Sequence, residues 1–264
     1  MAGRPVGGTA GAVVGVTGAR GGAGASVVAA SVARGAVRRV GPGGPVCLVD
    51  LTGSGGGLDV LLGLESVPGV RWPDLHDARG RLDGEDLAAR LPHWSGVAVV
   101  SGSGAHGPAG AVGPDGSAGA AGDAVLDVVA ALADSCTARG GLLVLDLPRA
   151  GLVVGAPGHA LLDACTELLV VTPLDVPAVA GAVGVRERVG GVPAALVVRG
   201  PAPGGLSGAE VADAVGLEVA TRVGRDRGVA LGIERGLGPC AGPGPLVRAG
   251  RRLAARYLAP GGDA

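Results

Sequence analysis

The sequence predicts an α/β fold, a three-layer sandwich in which a mainly parallel, twisted sheet is covered by helices on both faces. Three observations predict it. Short runs rich in Val and Leu recur along the chain, most of them followed by a stretch with helical periodicity, and repeated β-α units of that kind imply a parallel sheet between two helical layers. The runs are continuously apolar, as in Leu142–Leu147, which is the pattern of strands covered on both faces. Two of them carry an aspartate at the C-terminal end, Asp50 and Asp146, on the edge where open parallel sheets gather their ligands.

In order, Val13–Thr17 reads as a first buried strand, a glycine loop follows from Gly18, and the apolar run from Val27 opens a helix expected to end near Arg39. Gly41-Pro42-Gly43-Gly44-Pro45 breaks the chain, and Val46–Leu51 resumes as a second strand. A helix is expected over Gly84–Leu91 and a third strand over Val97–Ser101. Residues 102–119, dominated by Gly, Ala, Ser and Pro, have no periodicity and are expected to be a flexible insert. The helix from Ala120 to Arg139 shows an apolar stripe of Val125, Leu126, Val128, Val129 and Leu132, and Leu142–Pro148 is the clearest strand. The alternation continues with helix 160–166, strand 168–173, helix 176–189, strand 195–199, helix 207–215 and strand 218–220. With 264 residues and 47% hydrophobic content, one domain over residues 12–258 is the simplest organisation, with disordered tails at 1–11 and 259–264.

The glycine loop carries the chemistry. Gly18-Ala19-Arg20-Gly21-Gly22-Ala23-Gly24-Ala25-Ser26 between a strand and a helix is the arrangement in which successive backbone N–H groups converge on an anion at a helix N-terminus. Thr17, Gly18, Gly22 and Gly24 also satisfy the TGxxxGxG fingerprint of short-chain dehydrogenases. That chemistry needs a Tyr-x-x-x-Lys pair, whereas the one tyrosine is Tyr257 and the chain has no lysine. A chain with 54 glycines also produces glycine motifs by accident, and what sets this loop apart is its company, the two strand-terminal aspartates.

Gly18–Ser26 resembles the deviant Walker A loop of the MinD/ParA family of P-loop ATPases, written KGGxGK[ST]. Arg20 stands at the first lysine position and Ala25 at the second. Every one of the 22 basic residues is arginine, so a drift in composition accounts for Arg20. It does not account for Ala25, where a charge that normally reaches the β- and γ-phosphates is deleted. The resemblance runs from about Val13 to Leu258. It implies a nucleotide cradle made by Arg20, Gly21, Gly22, Ala23, Gly24, Ala25 and Ser26. It also implies Mg²⁺ held by Ser26 and Asp146, the latter in the Walker B position, and Asp50 as the catalytic carboxylate if the machinery is active. Thr52 stands where the family tends to carry a second aspartate, and Arg199-Gly200-Pro201 replaces an asparagine that reads adenine. The phrases GLDVLLGLE (57–65, with Asp59 as the later carboxylate) and PGVRWPDL (68–75) resemble the CpaE-like, septum-site-determining branch of actinobacteria, whose genes neighbour those of Tad-type machinery.

Two functions follow as expectations. The first is a localisation or regulatory factor for septum placement or Tad-type pilus or secretion assembly, with lost or weak ATPase activity and either ATP/ADP with Mg²⁺ or no cofactor. The second is a working Mg²⁺-dependent ATPase switch in which Arg20 supplies the missing charge. Expected partners are proteins of those machineries and a second copy of the chain. A net charge of −1 and 1% aromatic content argue against a nucleic-acid surface. Cys47, Cys136, Cys165 and Cys240 form no C-x-x-C pair and read as core residues, while His76, His93, His106 and His159 are too scattered to mark a metal site. No leader or membrane-spanning run is visible, so a cytoplasmic protein recruited to septum, pole or inner membrane surface is expected. Residues 246–258 form a basic amphipathic helix, read as packing on the sheet or as a weak lipid contact. Trp72 reads as packing or as a partner anchor.

Overall fold

Eight strands among the described residues form one sheet: β1 (Ala12–Gly18), β2 (Val46–Asp50), β3 (His93–Trp94), β4 (Val97–Val100), β5 (Leu142–Asp146), β6 (Glu167–Pro173), β7 (Ala194–Arg199) and β8 (Val219–Val223). Their order is β3-β4-β2-β5-β1-β6-β7-β8, and every ladder is parallel except β3–β4. The computed structural model describes residues 11–52, 57–75, 82–102, 120–152 and 157–258. The tails, residues 103–119 of the expected insert, residues 53–56, His76 and His106 lie outside them.

The helices are α1 (Ala25–Ala36), α2 (Gly57–Leu62), α3 (Trp72–Leu75), α4 (Gly84–Arg90), α5 (Ala120–Ala138), α6 (Pro157–Asp163), α7 (Val176–Val189), α8 (Gly208–Val215), α9 (Gly228–Glu234) and α10 (Pro245–Tyr257). The period of two in the strands sorts their side chains between two cores. Val13, Val49, Leu143, Leu145 and Val170 pack with Val128, Leu132 and Val185 of α5 and α7. Val14, Val16, Leu48, Val144 and Val171 pack with Ala29, Ala33 and Leu253 of α1 and α10. Both faces of the central strands are therefore dry, which is why their runs are continuously apolar.

Helix α10 crosses α1 so closely that only glycine fits at the contact. A methyl group on Gly250 would lie 2.1 Å from the Ser31 carbonyl oxygen, and one on Gly35 would lie 2.7 Å from the Gly250 carbonyl carbon. The Ser31 hydroxyl donates to the Leu246 carbonyl at 2.8 Å, and at the other end Arg256 donates to both Glu167 and Glu218. Leu246, Ala249, Leu253 and Ala254 are buried here, while Arg248, Arg251 and Arg252 face solvent. The lipid contact expected of 246–258 is corrected on this point, because the apolar face it requires is spent on α1. Among the described residues no helix is long and apolar enough to cross a membrane.

The remaining corrections are local. The first helix ends at Ala36 and a turn carries the chain to Arg39, and α6 begins at Pro157, three residues ahead of expectation. β3, α3 and α9 were not anticipated. β3 joins β4 through Ser95 (φ 51°) and Gly96 (φ 85°), a two-residue turn with both residues left-handed, as a tight hairpin requires. Trp72 is a packing residue: it is buried and its indole N–H donates to the Asp50 carbonyl at 2.7 Å. Cys47, Cys136 and Cys165 are buried thiols, and burial pushes Cys165 up to about 12.

Candidate functional site

The loop between β1 and α1 has the backbone of an anion cradle. Gly22 (φ 70°) and Gly24 (φ 88°) are left-handed, and together they turn the chain from strand into helix. No side chain caps α1 at Gly24, and its first turn contains no acid. Among the described residues the helix thus offers its N–H groups and the positive end of its dipole with no side-chain cap.

The charges around this cradle are placed by distant elements. Arg20 closes its guanidinium on Asp175, Nη2 donating to Oδ2 at 2.7 Å and Nε to Oδ1 at 3.3 Å, and Nη1 donates to the Gly21 carbonyl at 2.9 Å. Asp175 is also the N-cap of α7, accepting from the Ala178 N–H at 2.9 Å, and the Arg20 hydrogen bond holds its carboxyl below the usual range. Arg20 is therefore engaged within its own chain. Position 25 offers only a methyl group. Arg149, just after β5, donates to the Ala19 carbonyl at 3.0 Å, and Arg199, at the end of β7, donates to the Ala23 carbonyl at 2.6 Å.

Asp146 lies beside both β1 and β2, in register with Val16 and Asp50. It is 1% exposed, and among the described residues neither carboxylate oxygen has a hydrogen-bond partner. Burial raises its pKa to about 7; the nearby Ser26 hydroxyl, short of hydrogen-bonding geometry, pulls it down, and the Asp50 charge adds to the rise. Such an unsatisfied buried carboxylate costs free energy that a bound cation would recover. The donor set of Ser26 and Asp146 is one that Mg²⁺ accepts.

Asp50 differs from Asp146 in being saturated. Its Oδ1 accepts from the Thr52 N–H at 2.9 Å and the Thr52 hydroxyl at 2.7 Å, and its Oδ2 accepts from the Leu58 N–H at 2.8 Å. Thr52 holds Asp50 in place. Asp59 is paired with Arg71 and accepts from the Ser101 hydroxyl, so this carboxylate fastens α2 to its neighbours. The structure thus gathers Arg20, Gly21–Ser26, Asp50 and Asp146 at one edge of the sheet and assigns Asp59 a structural task. Sequence reasoning missed Asp175 and the positions taken by Arg149 and Arg199. Asp175-Val176-Pro177 is legible as a helix start, but its pairing with Arg20 is not.

A cleft of about 530 Å³ opens beside the loop, lined by Gly24, Val28, Arg199, Pro201, Val223 and Ile233 among others. Its carboxylate, Asp226, accepts from the Gly228 and Leu246 N–H groups, both at 3.1 Å, at the start of α9 and α10.

This sheet order, with an uncapped glycine loop after its central strand, is the fold of the ParA and MinD P-loop ATPases. A ParA family ATPase from Chlorobium tepidum superposes with a TM-score of 0.71 at 18% identity, covering 94% of this chain and 98% of that one. MinD from Pyrococcus horikoshii, complexed with Mg-ADP, gives 0.65 at 17% identity over 93% and 95%. MinD in the MinC:MinD complex of Aquifex aeolicus gives 0.64 at 18% over 93% and 95%. In sequence, the chain is 39% identical over 212 residues to Rv3660c, an uncharacterised protein of Mycobacterium tuberculosis, and equally to its counterpart MT3760 in a second strain. The match takes in 79% of this chain, which spans about half the length of those relatives (53%). No protein-family model matches the chain.

Proposed function

We propose that the protein is a MinD/ParA-like localisation or regulatory factor that keeps a nucleotide cradle and has lost most of its capacity for hydrolysis. One observation carries the reading: the loop retains the left-handed glycines and uncapped helix of a phosphate site, while position 25 holds alanine and Arg20 is bound to Asp175. Binding rests on backbone N–H groups, which are present. Transfer of a phosphoryl group rests on positioned positive charge, which is depleted. In this reading Ser26 and Asp146 would hold Mg²⁺, which would supply charge neutralisation at the phosphates, and the cleft beside Gly24 would receive the nucleoside. MinD's complex with Mg-ADP supports the ligand class, and the MinC:MinD complex supports a role exercised through protein partners. The resemblance of 57–65 and 68–75 to the septum-site-determining branch supports a role in septum positioning or Tad-type assembly. The alternative, an ATPase switch powered by Arg20, requires the Arg20–Asp175 pair to open.

Calorimetric titration of the full chain with MgATP and MgADP, paired with a phosphate-release assay, tests the proposal. Binding with turnover near background is expected, and Ala25→Lys should tighten MgATP by about tenfold or more, the worth of one charge-assisted hydrogen bond. Turnover at rates ordinary for an ATPase in the wild type would overturn it.

A further inference from the structure

Arg199 brings a guanidinium to the helix end of the loop, where position 25 carries no charge. It lies at the C-terminal end of β7, where the backbone is fixed on both sides: the Leu174 N–H donates to its carbonyl at 3.0 Å, and the Gly200 N–H donates to the Val223 carbonyl at 3.0 Å. From there its side chain reaches back to the glycine loop. Nη1 donates to the Ala23 carbonyl at 2.6 Å and sits so near Gly24 that a methyl group at that glycine would meet it at 2.5 Å.

Among the described residues no carboxylate pairs with Arg199, since Asp226, the acid in the same cleft, is engaged by two helix N-termini. A guanidinium next to the positive end of α1 is repelled by it unless an anion lies between them. On the other side of the loop, Asp146 is a buried carboxylate with both oxygens unpartnered, beside Ser26. Arg199 thus presents a charge complementary to an anion, and Asp146 one complementary to a cation. A Mg²⁺-bound polyphosphate supplies both.

We infer that Arg199 binds the phosphate chain of the nucleotide, replacing from β7 the charge that is absent at position 25, and so makes the site select phosphorylated nucleosides over free ones. The inference rests on the reading that the glycine loop binds a nucleotide. Arg199 approaches at Ala23 and Gly24, the helix end of the loop, whereas Arg20 is drawn to Asp175 at the other end. That placement serves retention of the ligand.

The test is calorimetric affinity for MgADP and for adenosine, measured on the full chain as wild type, Arg199→Ala, Arg199→Lys and Ala25→Lys. Arg252→Ala, an exposed arginine of α10, controls for net charge. Arg199→Ala should weaken MgADP by about ten- to a hundredfold and adenosine far less, with Arg199→Lys between wild type and Arg199→Ala. The dependence of log Kd on log salt should flatten in Arg199→Ala alone. An unchanged circular dichroism melt shows that the variant is folded. MgADP affinity equal in wild type and Arg199→Ala overturns the role of Arg199 and leaves the cradle standing. Binding of MgADP only in Ala25→Lys does the same, since Arg199 then fails to replace the lysine. No binding in any version, Ala25→Lys included, overturns the nucleotide reading as well.

Discussion

Replacing Asp146 with asparagine separates the cost of holding a carboxylate in the sheet edge from its use. Burial raises this carboxyl from 3.8 to about 7, with Ser26 opposing and Asp50 adding to the rise. Below pH 3.8 the group is protonated whether the chain is folded or not, and it contributes nothing. Between 3.8 and about 7 the folded chain keeps a proton that the unfolded chain releases, so stability falls as pH rises; above about 7 the loss is complete. At about 1.4 kcal/mol per pH unit, the interval is worth about 4 kcal/mol, a large part of the 5–15 kcal/mol that holds a typical domain folded. Asparagine has the same shape and no charge at any pH. Urea unfolding of wild type and Asp146→Asn in EDTA, from pH 4 to pH 8, should show the variant gaining about 4 kcal/mol on the wild type across that window. Adding Mg²⁺ at pH 8 should then stabilise the wild type and leave the variant unmoved. A difference that stays flat within about 1 kcal/mol over the whole window would refute the reasoning, because it would mean that Asp146 ionises in the folded protein as easily as in water.

Further predictions follow from contacts outside the loop. Gly250→Ala drives a methyl group into the Ser31 backbone at the α1–α10 crossing and should cost about 3 kcal/mol by urea unfolding; an unchanged midpoint would contradict the close approach. Asp175→Ala removes the α7 cap and the Arg20 pair together, for a loss of about 1 kcal/mol that is mostly the cap, because the pair is substantially exposed. Asp175→Asn should recover most of that loss, and equal losses in the two variants would assign the energy to the ion pair. Trp72→Phe leaves the buried Asp50 carbonyl without its donor and should cost about 1–3 kcal/mol, read as a lower thermal midpoint with the same unfolding cooperativity.

Much of the fold was legible because its signals are local. β5 announces itself as Leu142–Asp146, buried throughout, and the loop after β1 is marked by glycines at positions that the backbone requires to be left-handed. β3 escaped because two residues carry no periodicity, and α9 because Gly228–Glu234 has only seven residues, too few to show a helical period. In α10 the apolar stripe was visible while its destination was not: the same stripe serves a lipid surface or another helix, and Gly35 and Gly250 decide for α1 only when they meet.

The sequence by itself determined the glycine loop and the two aspartates at the sheet edge, since strand, loop and helix follow from the spacing of neighbours along the chain. Tertiary structure decided where the charges go. Arg20 meets Asp175 across 155 residues and Arg199 meets Ala23 across 176. Both contacts exist because β1 lies beside β6, and β6 beside β7, an order set by how the two cores close over the sheet. Asp146 is orphaned for the same reason: β1 and β2 flank it and leave its oxygens dry. A strand's run of apolar residues fixes that it is buried; which carboxylate, guanidinium or carbonyl it lies against depends on partners that no local pattern names.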